Sequence, residues 1–286
     1  MSLLVVCMPV AVCAQQEVFP LPDVPKTLTT PADRANYLAL HYWDNYNFRD
    51  NSLIGNEDIS EQGFSNFISI MPYVSEKEKA FSVFAHKISQ NAKMSNYFMA
   101  IAQKYLAEPL SPVYNEELYI LLLQSYLSLD GLTEKERSEY GFTLKMARKN
   151  RLGTQAADFS FMLRGGKRCR LSDIKGEYIL LILGDPECDV CTDTKERILG
   201  SSLLMGLINK KCLIPVSVCV EGNTEAWRNT KAPTGWVDAC DDKGIIYEQL
   251  LYDIPGLPVM YLLDYNRKVL VKNATVGLVE NYFKDR

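Results

Sequence analysis

Apolar residues recur at helical spacing through the first half of the chain and at strand spacing through the second. Thr30-Pro31 joins a capping residue to a proline at the first helical position, and predicts a helix to about Trp43. A second helix is expected over residues 60–71. Ser75 and Glu78 have capping-box spacing, and Ala80, Phe81, Phe84 and Ile88 follow on one face. Ser95 is read as opening a helix to about Ala107, stopped by Pro109. Asn115 is read as capping the helix that carries Leu118, Leu121, Leu122 and Tyr126. Thr133 and Glu136 form a second capping box, for a helix to about Asn150 with Gly153 just beyond. Residues 31–151 therefore read as an all-α domain of five or six helices.

After Gly153 the period changes. Asp158 to Leu163 alternates like a strand, and Arg164-Gly165-Gly166-Lys167 is turn chemistry. Tyr178 to Leu183 is an unbroken apolar run, suited to a sheet covered on both faces. A helix begins near Cys188, a strand covers Leu213 to Val220, and helices are expected at 224–229 and 244–251. Strands at Val259 to Leu263 and Val269 to Val271 precede a last helix from Gly277 to Lys284. Strands alternating with helices and ending in a hairpin imply an α/β domain with a mixed central sheet over 152–286.

The run from Leu3 to Ala14 is too short to span a bilayer and reads as the core of a secretory signal, residues 1–14, cut before Gln15. The alternatives are a buried N-terminal strand and a lipoprotein anchor on Cys7 or Cys13. Residues 15–30 hold three prolines without periodicity and read as a tether. Export would place the chain in the periplasm or a similar oxidising compartment, where paired cysteines form disulfides. The 286 residues are 47% hydrophobic and 23% charged, which excludes a disordered chain and suggests two domains. Neither half carries more bases than acids, so nucleic acid is not an expected partner.

Six of the eight cysteines lie after residue 168. Cys188-Asp189-Val190-Cys191 follows the buried apolar run and starts a helix. There the free N–H groups and the dipole stabilise a thiolate on the first cysteine, and the second can resolve a mixed disulfide. A lone CxxC also fits a structural disulfide or half of a zinc site. Zinc needs four ligands, both histidines (His41 and His86) lie in the helical half, and there is no second CxxC. Neither a metal nor another cofactor is expected. His41, His86, Tyr42, Trp43 and Tyr46 are read as packing or capping residues, and Cys219 as a small buried hydrophobe. Cys169, Cys212, Cys219 and Cys240 allow three pairings.

Ala157-x-Phe159, Gly166-Lys167, Leu171-Ser172-Asp173-Ile174-Lys175-Gly176, Pro186-x-Cys188-x-x-Cys191 and Ile254-x-Gly256-x-Pro258-x-x-x-Leu262-Leu263-Asp264 occur in that order. Together they resemble the secreted TlpA/ResA-like branch of the thioredoxin superfamily, over about residues 152–286. The helical half, including His41-Tyr42-Trp43-Asp44 and Asn115-Glu116-Glu117-Leu118-Tyr119, resembles an uncharacterised helical domain that precedes such domains in some secreted bacterial proteins.

The resemblance implies a thiol–disulfide oxidoreductase with Cys188 attacking and Cys191 resolving. It matches Pro258 to a cis-proline facing the CxxC, with Leu257 offering its backbone to a substrate strand. The implied partners are exported proteins with cysteine pairs or disulfides, and an upstream thiol donor. The chain departs from the family in having Glu187 where Trp is frequent and Thr194 where Glu is frequent, which leaves the proton-handling acid unassigned. Asp185, Glu187, Asp189 and Asp193 form an acidic segment, read as a solvated rim, in which Glu187 and Asp189 raise the thiol pKa of Cys188 and place the pair on the reducing side. The competing reading is a binding or assembly protein whose CxxC is a structural disulfide.

Overall fold

The structure, a computed structural model, describes residues 19–230 and 233–285. The signal-peptide reading, with Cys7 and Cys13, lies outside the described residues. Two compact units divide between Asp130 and Gly131. Among the described residues there are eleven α-helices and seven strands. No described helix is long and apolar enough to cross a membrane.

The first unit is helical: α1 (Pro31–His41), α2 (Gln62–Ile70), α3 (Lys77–Ile88), α4 (Ala92–Ala102) and α5 (Glu116–Leu127). Thr30 and Asn115 cap α1 and α5 as their positions predicted. Two expected caps are replaced. The Ser75 N–H and hydroxyl both face the Asn36 side chain, so α3 starts without a side-chain cap. Asn91 caps α4 instead of Ser95, which lies buried within that helix 2.6 Å from the Tyr126 hydroxyl. One-turn π-helices at Glu57–Glu61 and Gln103–Ala107 adjoin α2 and α4. Trp43 centres an aromatic core, stacked on Phe84 at 5.0 Å and edge-on to Phe98 at 5.4 Å. Tyr42 and Tyr46 are buried beside it. Phe19, in the segment expected to be a tether, stacks on Trp43 at 5.4 Å, so the chain is anchored at that residue. His41 and His86 bond locally, to Asp44 and to the Ser82 carbonyl.

The second unit opens with α6 (Glu134–Ala147), whose Thr133–Glu136 capping box forms as expected. The change of hydrophobic period near residue 152 is therefore not where the compact units divide. Lys272, 2% exposed, donates to the carbonyls of Ala147 (2.9 Å) and Lys149 (2.7 Å) at the end of α6. Asn150 donates to the Leu251 carbonyl and accepts from the Ala157 N–H.

Next come β1 (Ser160–Leu163), β2 (Arg168–Arg170), β3 (Tyr178–Gly184), α7 (Asp189–Gly200), α8 (Ser202–Asn209) and β4 (Leu213–Cys219). They are followed by α9 (Glu225–Asn229), β5 (Val237–Cys240), α10 (Ile245–Glu248), β6 (Val259–Asp264), β7 (Val269–Val271) and α11 (Val276–Lys284). The sheet order is β2-β1-β5-β4-β3-β6-β7. Strands β3, β4 and β5 are parallel; β1 pairs antiparallel with β5, and β6 with β3.

The unbroken apolar run of β3 is explained by burial on both faces. Leu180 and Ile182 pack with Ile198, Leu204, Ile208 and Val279. Ile179, Leu181 and Leu183 pack on the other face with Phe159, Phe161 and Tyr261. This fixes β3 as a central strand and delivers the following loop to the carboxyl edge of the sheet, where open α/β sheets place their sites.

Candidate redox site

Gly184 ends β3, and the loop Asp185–Glu187 carries the chain to Cys188, the N-cap of α7. The Cys191 N–H donates to Cys188 Sγ at 3.1 Å, so one of the unpaired amides of the helix start is spent on this sulfur. Cys188 and Cys191 form a disulfide. Cys188 is partly exposed, whereas Cys191 is 1% exposed. A bond reaching this pair from solvent meets Cys188 first. In the reduced pair, the helix N-terminus would favour the thiolate on Cys188.

A Cβ on Gly184 would lie 3.2 Å from Cys191 Sγ and 3.8 Å from the Pro258 Cβ, so the buried sulfur packs closely on the sheet here and any side chain at 184 would press against it. The Leu257–Pro258 peptide is cis, and the Leu257 carbonyl lies 3.7 Å from Cys188 Sγ. All four residues expected at the site, Cys188, Cys191, Leu257 and Pro258, thus meet at one edge of the sheet. Glu187 and Asp189 flank Cys188 and are exposed, as is Asp193.

Asp185 departs from the acidic-rim expectation. It is 8% exposed and turned inward; its carboxylate accepts from the Glu187 N–H at 2.7 Å and from Cys219 Sγ at 3.5 Å. Its neighbour Lys195 on α7 is half-buried. Burial pushes the Lys195 pKa down, and the charges of Asp238 and Asp185 and the Cys219 thiol oppose that shift. Asp238 in turn pairs with Arg164, which stacks on Trp227, and accepts from the Trp227 indole. Burial raises the Cys219 thiol to about 12, reinforced by the negative charge of Asp185. Cys240 is raised to about 11, by burial and then by Asp242, Asp238 and Asp241. Thr194 is buried and offers no acid. Cys169 and Cys212 are unpaired and partly exposed. Among the described residues, no group of three or more His, Cys, Asp or Glu side chains is placed to hold a metal.

Sequence reasoning missed the inward turn of Asp185 and the Lys195 cluster. The one local signal was Asp185 itself, which directly follows a strand buried from Ile179 to Gly184. Its partner Cys219 is 34 residues away and acquires meaning only through strand pairing.

No curated protein matches the chain. Residues 8–150 match the family model described as a domain of unknown function, DUF5106. The structure is similar to a thioredoxin-like protein from Bacteroides caccae ATCC 43185, with 33% identity and a TM-score of 0.80 over 94% of this chain and 98% of that one. It is also similar to the C-terminal domain of an uncharacterized protein from Bacteroides fragilis NCTC 9343 (34% identity, TM-score 0.45, 47% of this chain and 98% of that one). A thiol-disulfide oxidoreductase from the same strain has 22% identity and a TM-score of 0.40 over 46% of this chain and 98% of its own. The chain belongs to the thioredoxin-like proteins, and its helical half belongs to the DUF5106 family.

Proposed function

We propose that the chain is an exported thiol–disulfide oxidoreductase that exchanges disulfides with other exported proteins, on the reducing side. The observation that carries this reading is the asymmetry of the CxxC pair. Cys188 sits partly exposed at a helix N-terminus under the Leu257 carbonyl, and Cys191 is sealed behind it against Gly184. The Cys188 thiolate attacks a substrate disulfide, and the leaving sulfur departs as a thiol after protonation. Cys191 then loses its proton and attacks Cys188 Sγ in the mixed disulfide, which closes the internal disulfide and frees the reduced substrate. Leu257 and Pro258 form the platform on which an extended substrate segment pairs. An upstream thiol donor returns the two electrons. Export is supported by the apolar run at residues 3–14, with a lipid anchor on Cys13 or Cys7 as its variant.

One observation favours the binding-protein reading: position 194 holds a buried threonine, so the acid expected there by resemblance is absent. Insulin reduction with a dithiol donor separates the two. The oxidoreductase reading expects the full chain to accelerate precipitation of the insulin B chain catalytically; a rate equal to the donor alone would leave the CxxC as a structural disulfide.

A further inference from the structure

Three strands bring sulfur to one row. In the register of the sheet Gly184 on β3 is the partner of Cys219 on β4, and Cys219 is the partner of Cys240 on β5. Partnered residues of parallel strands project to the same face. Their neighbours Leu183, Val218 and Ala239 all belong to the core on the opposite face, so positions 184, 219 and 240 face α7. Gly184 has no side chain, and Cys191 Sγ lies 3.2 Å from where its Cβ would stand. The order along the carboxyl edge is therefore Cys191 over β3, Cys219 on β4 and Cys240 on β5, at strand spacings of about 4.8 Å. Cys219 and Cys240 are unpaired, 3% and 0% exposed, and share one small cluster with Trp227. A backbone separation of one strand spacing lies within the range of about 4.4–6.8 Å that a disulfide spans.

We propose that Cys219 and Cys240 are a second redox pair, closed and opened by exchange with the Cys188–Cys191 disulfide. The inference rests on the reading of Cys188–Cys191 as a redox pair. Asp185 supplies the local base: its carboxylate already accepts from Cys219 Sγ. In the first step the Cys219 thiolate attacks Cys191 Sγ, and its proton, relayed by Asp185, ends on Cys188 once that sulfur has left. A Cys191–Cys219 bond forms, the Cys188–Cys191 bond breaks, and the electron pair leaves on Cys188, where the Cys191 N–H and the start of α7 receive it. In the second step Cys240 loses its proton and attacks Cys219 Sγ. The Cys219–Cys240 bond forms, and Cys191 leaves and is protonated. The net change converts one disulfide and one dithiol into one dithiol and one disulfide. Two protons move from the inner pair to the outer, and no external oxidant is consumed. Burial makes the inner thiols poor nucleophiles toward solvent reagents, so the CxxC is their route to oxidation.

The test uses the full chain, reduced and desalted without oxygen, then exposed to excess glutathione disulfide, quenched in acid at intervals, alkylated and mapped by mass spectrometry of linked peptides. The expected result is a Cys219–Cys240 linked peptide that appears after the Cys188–Cys191 link. In Cys240→Ser the exchange should stall, and a Cys191–Cys219 link should accumulate. In Cys188→Ser the inner link should form at least about tenfold more slowly, because small disulfides reach it only directly. Absence of the inner link from the native chain, or equal rates with and without Cys188, overturns the proposal. Insulin turnover by the same native preparation is read in parallel. Turnover without an inner link removes only the second pair, whereas no turnover removes the redox reading on which it rests.

Discussion

Lys272, which directly follows β7, ties the end of α6 to the sheet. Its ammonium is buried and donates to two carbonyls, Ala147 at 2.9 Å and Lys149 at 2.7 Å, the acceptors left over at the end of α6. A fragment that starts at residue 152, where the hydrophobic period changes, deletes both acceptors. A hydrogen bond to a charged group is worth about 1.5–3 kcal/mol, so losing the two costs about 3–6 kcal/mol. The loss is comparable with the whole stability of a marginal domain, about 5–15 kcal/mol. With a urea m-value of about 2 kcal/mol per molar, fragment 152–286 should unfold at a midpoint about 2 M below fragment 131–286.

Loss of the Asn150 bonds adds to this difference, so Lys272→Met in both fragments isolates the ammonium. In 131–286 the substitution removes two charge-assisted bonds and should destabilise by about 1–3 kcal/mol. In 152–286 it removes a charge already stripped of those acceptors and should be neutral or stabilising. Urea titrations of the four proteins, followed by circular dichroism, give the coupling directly. Equal effects of Lys272→Met in the two fragments would show that the two carbonyls do not hold the ammonium.

Two other outcomes follow from the site. The exposed carboxylates of Glu187 and Asp189 disfavour a thiolate on Cys188, so a glutathione titration should place the CxxC nearer the thioredoxin value of about −270 mV than the DsbA value of about −120 mV. Glu187→Gln with Asp189→Asn should raise the potential by only about 10–40 mV, since each exposed charge is worth about 0.2–1 kcal/mol; a downward shift would reverse the assigned sign. In the reduced chain, burial raises Cys219 to about 12 and Cys240 to about 11, above the ordinary thiol value. Above about pH 8.5 the unfolded thiols ionise while the folded ones stay protonated, so their contribution is complete below that pH and is lost as pH rises toward the folded values. Cys219→Ala should therefore flatten the fall of stability near pH 10 by about 1.4 kcal/mol per pH unit, and an unchanged slope in urea titrations across that range would contradict the burial effect.

What the sequence disclosed was what local physics decides. The apolar run of β3, the Thr133–Glu136 box and the CxxC at a helix start each depend on residues within one turn or one strand. Ser75 and Ser95 had the right chemistry for caps. Asn36, 39 residues from Ser75, and Tyr126, 31 residues from Ser95, claimed their hydrogen bonds instead. Strand β5 is four residues long and includes Asp238, so it carries no alternation of its own; it exists because β1 and β4 pair with it. The period of α6 announced a helix but not its neighbours, and Lys272, which ties it to the second unit, lies more than 120 residues away. Asp185 sits among three exposed acids, and only the β3–β4 register shows why it alone turns inward.

Oxidoreductase chemistry in this chain requires that Cys188 be the sulfur that meets the substrate. The direct measurement expresses the full chain as Cys191→Ala in a cell that exports it, traps thiols with acid and alkylating agent, and identifies the peptides joined to the chain by mass spectrometry. Without Cys191 the mixed disulfide cannot be resolved. The prediction is that exported proteins with cysteine pairs accumulate, linked to Cys188 and released by reductant. Linkage through Cys169 or Cys212 instead, or no linked partner above the level of Cys188→Ser with Cys191→Ala, would contradict it.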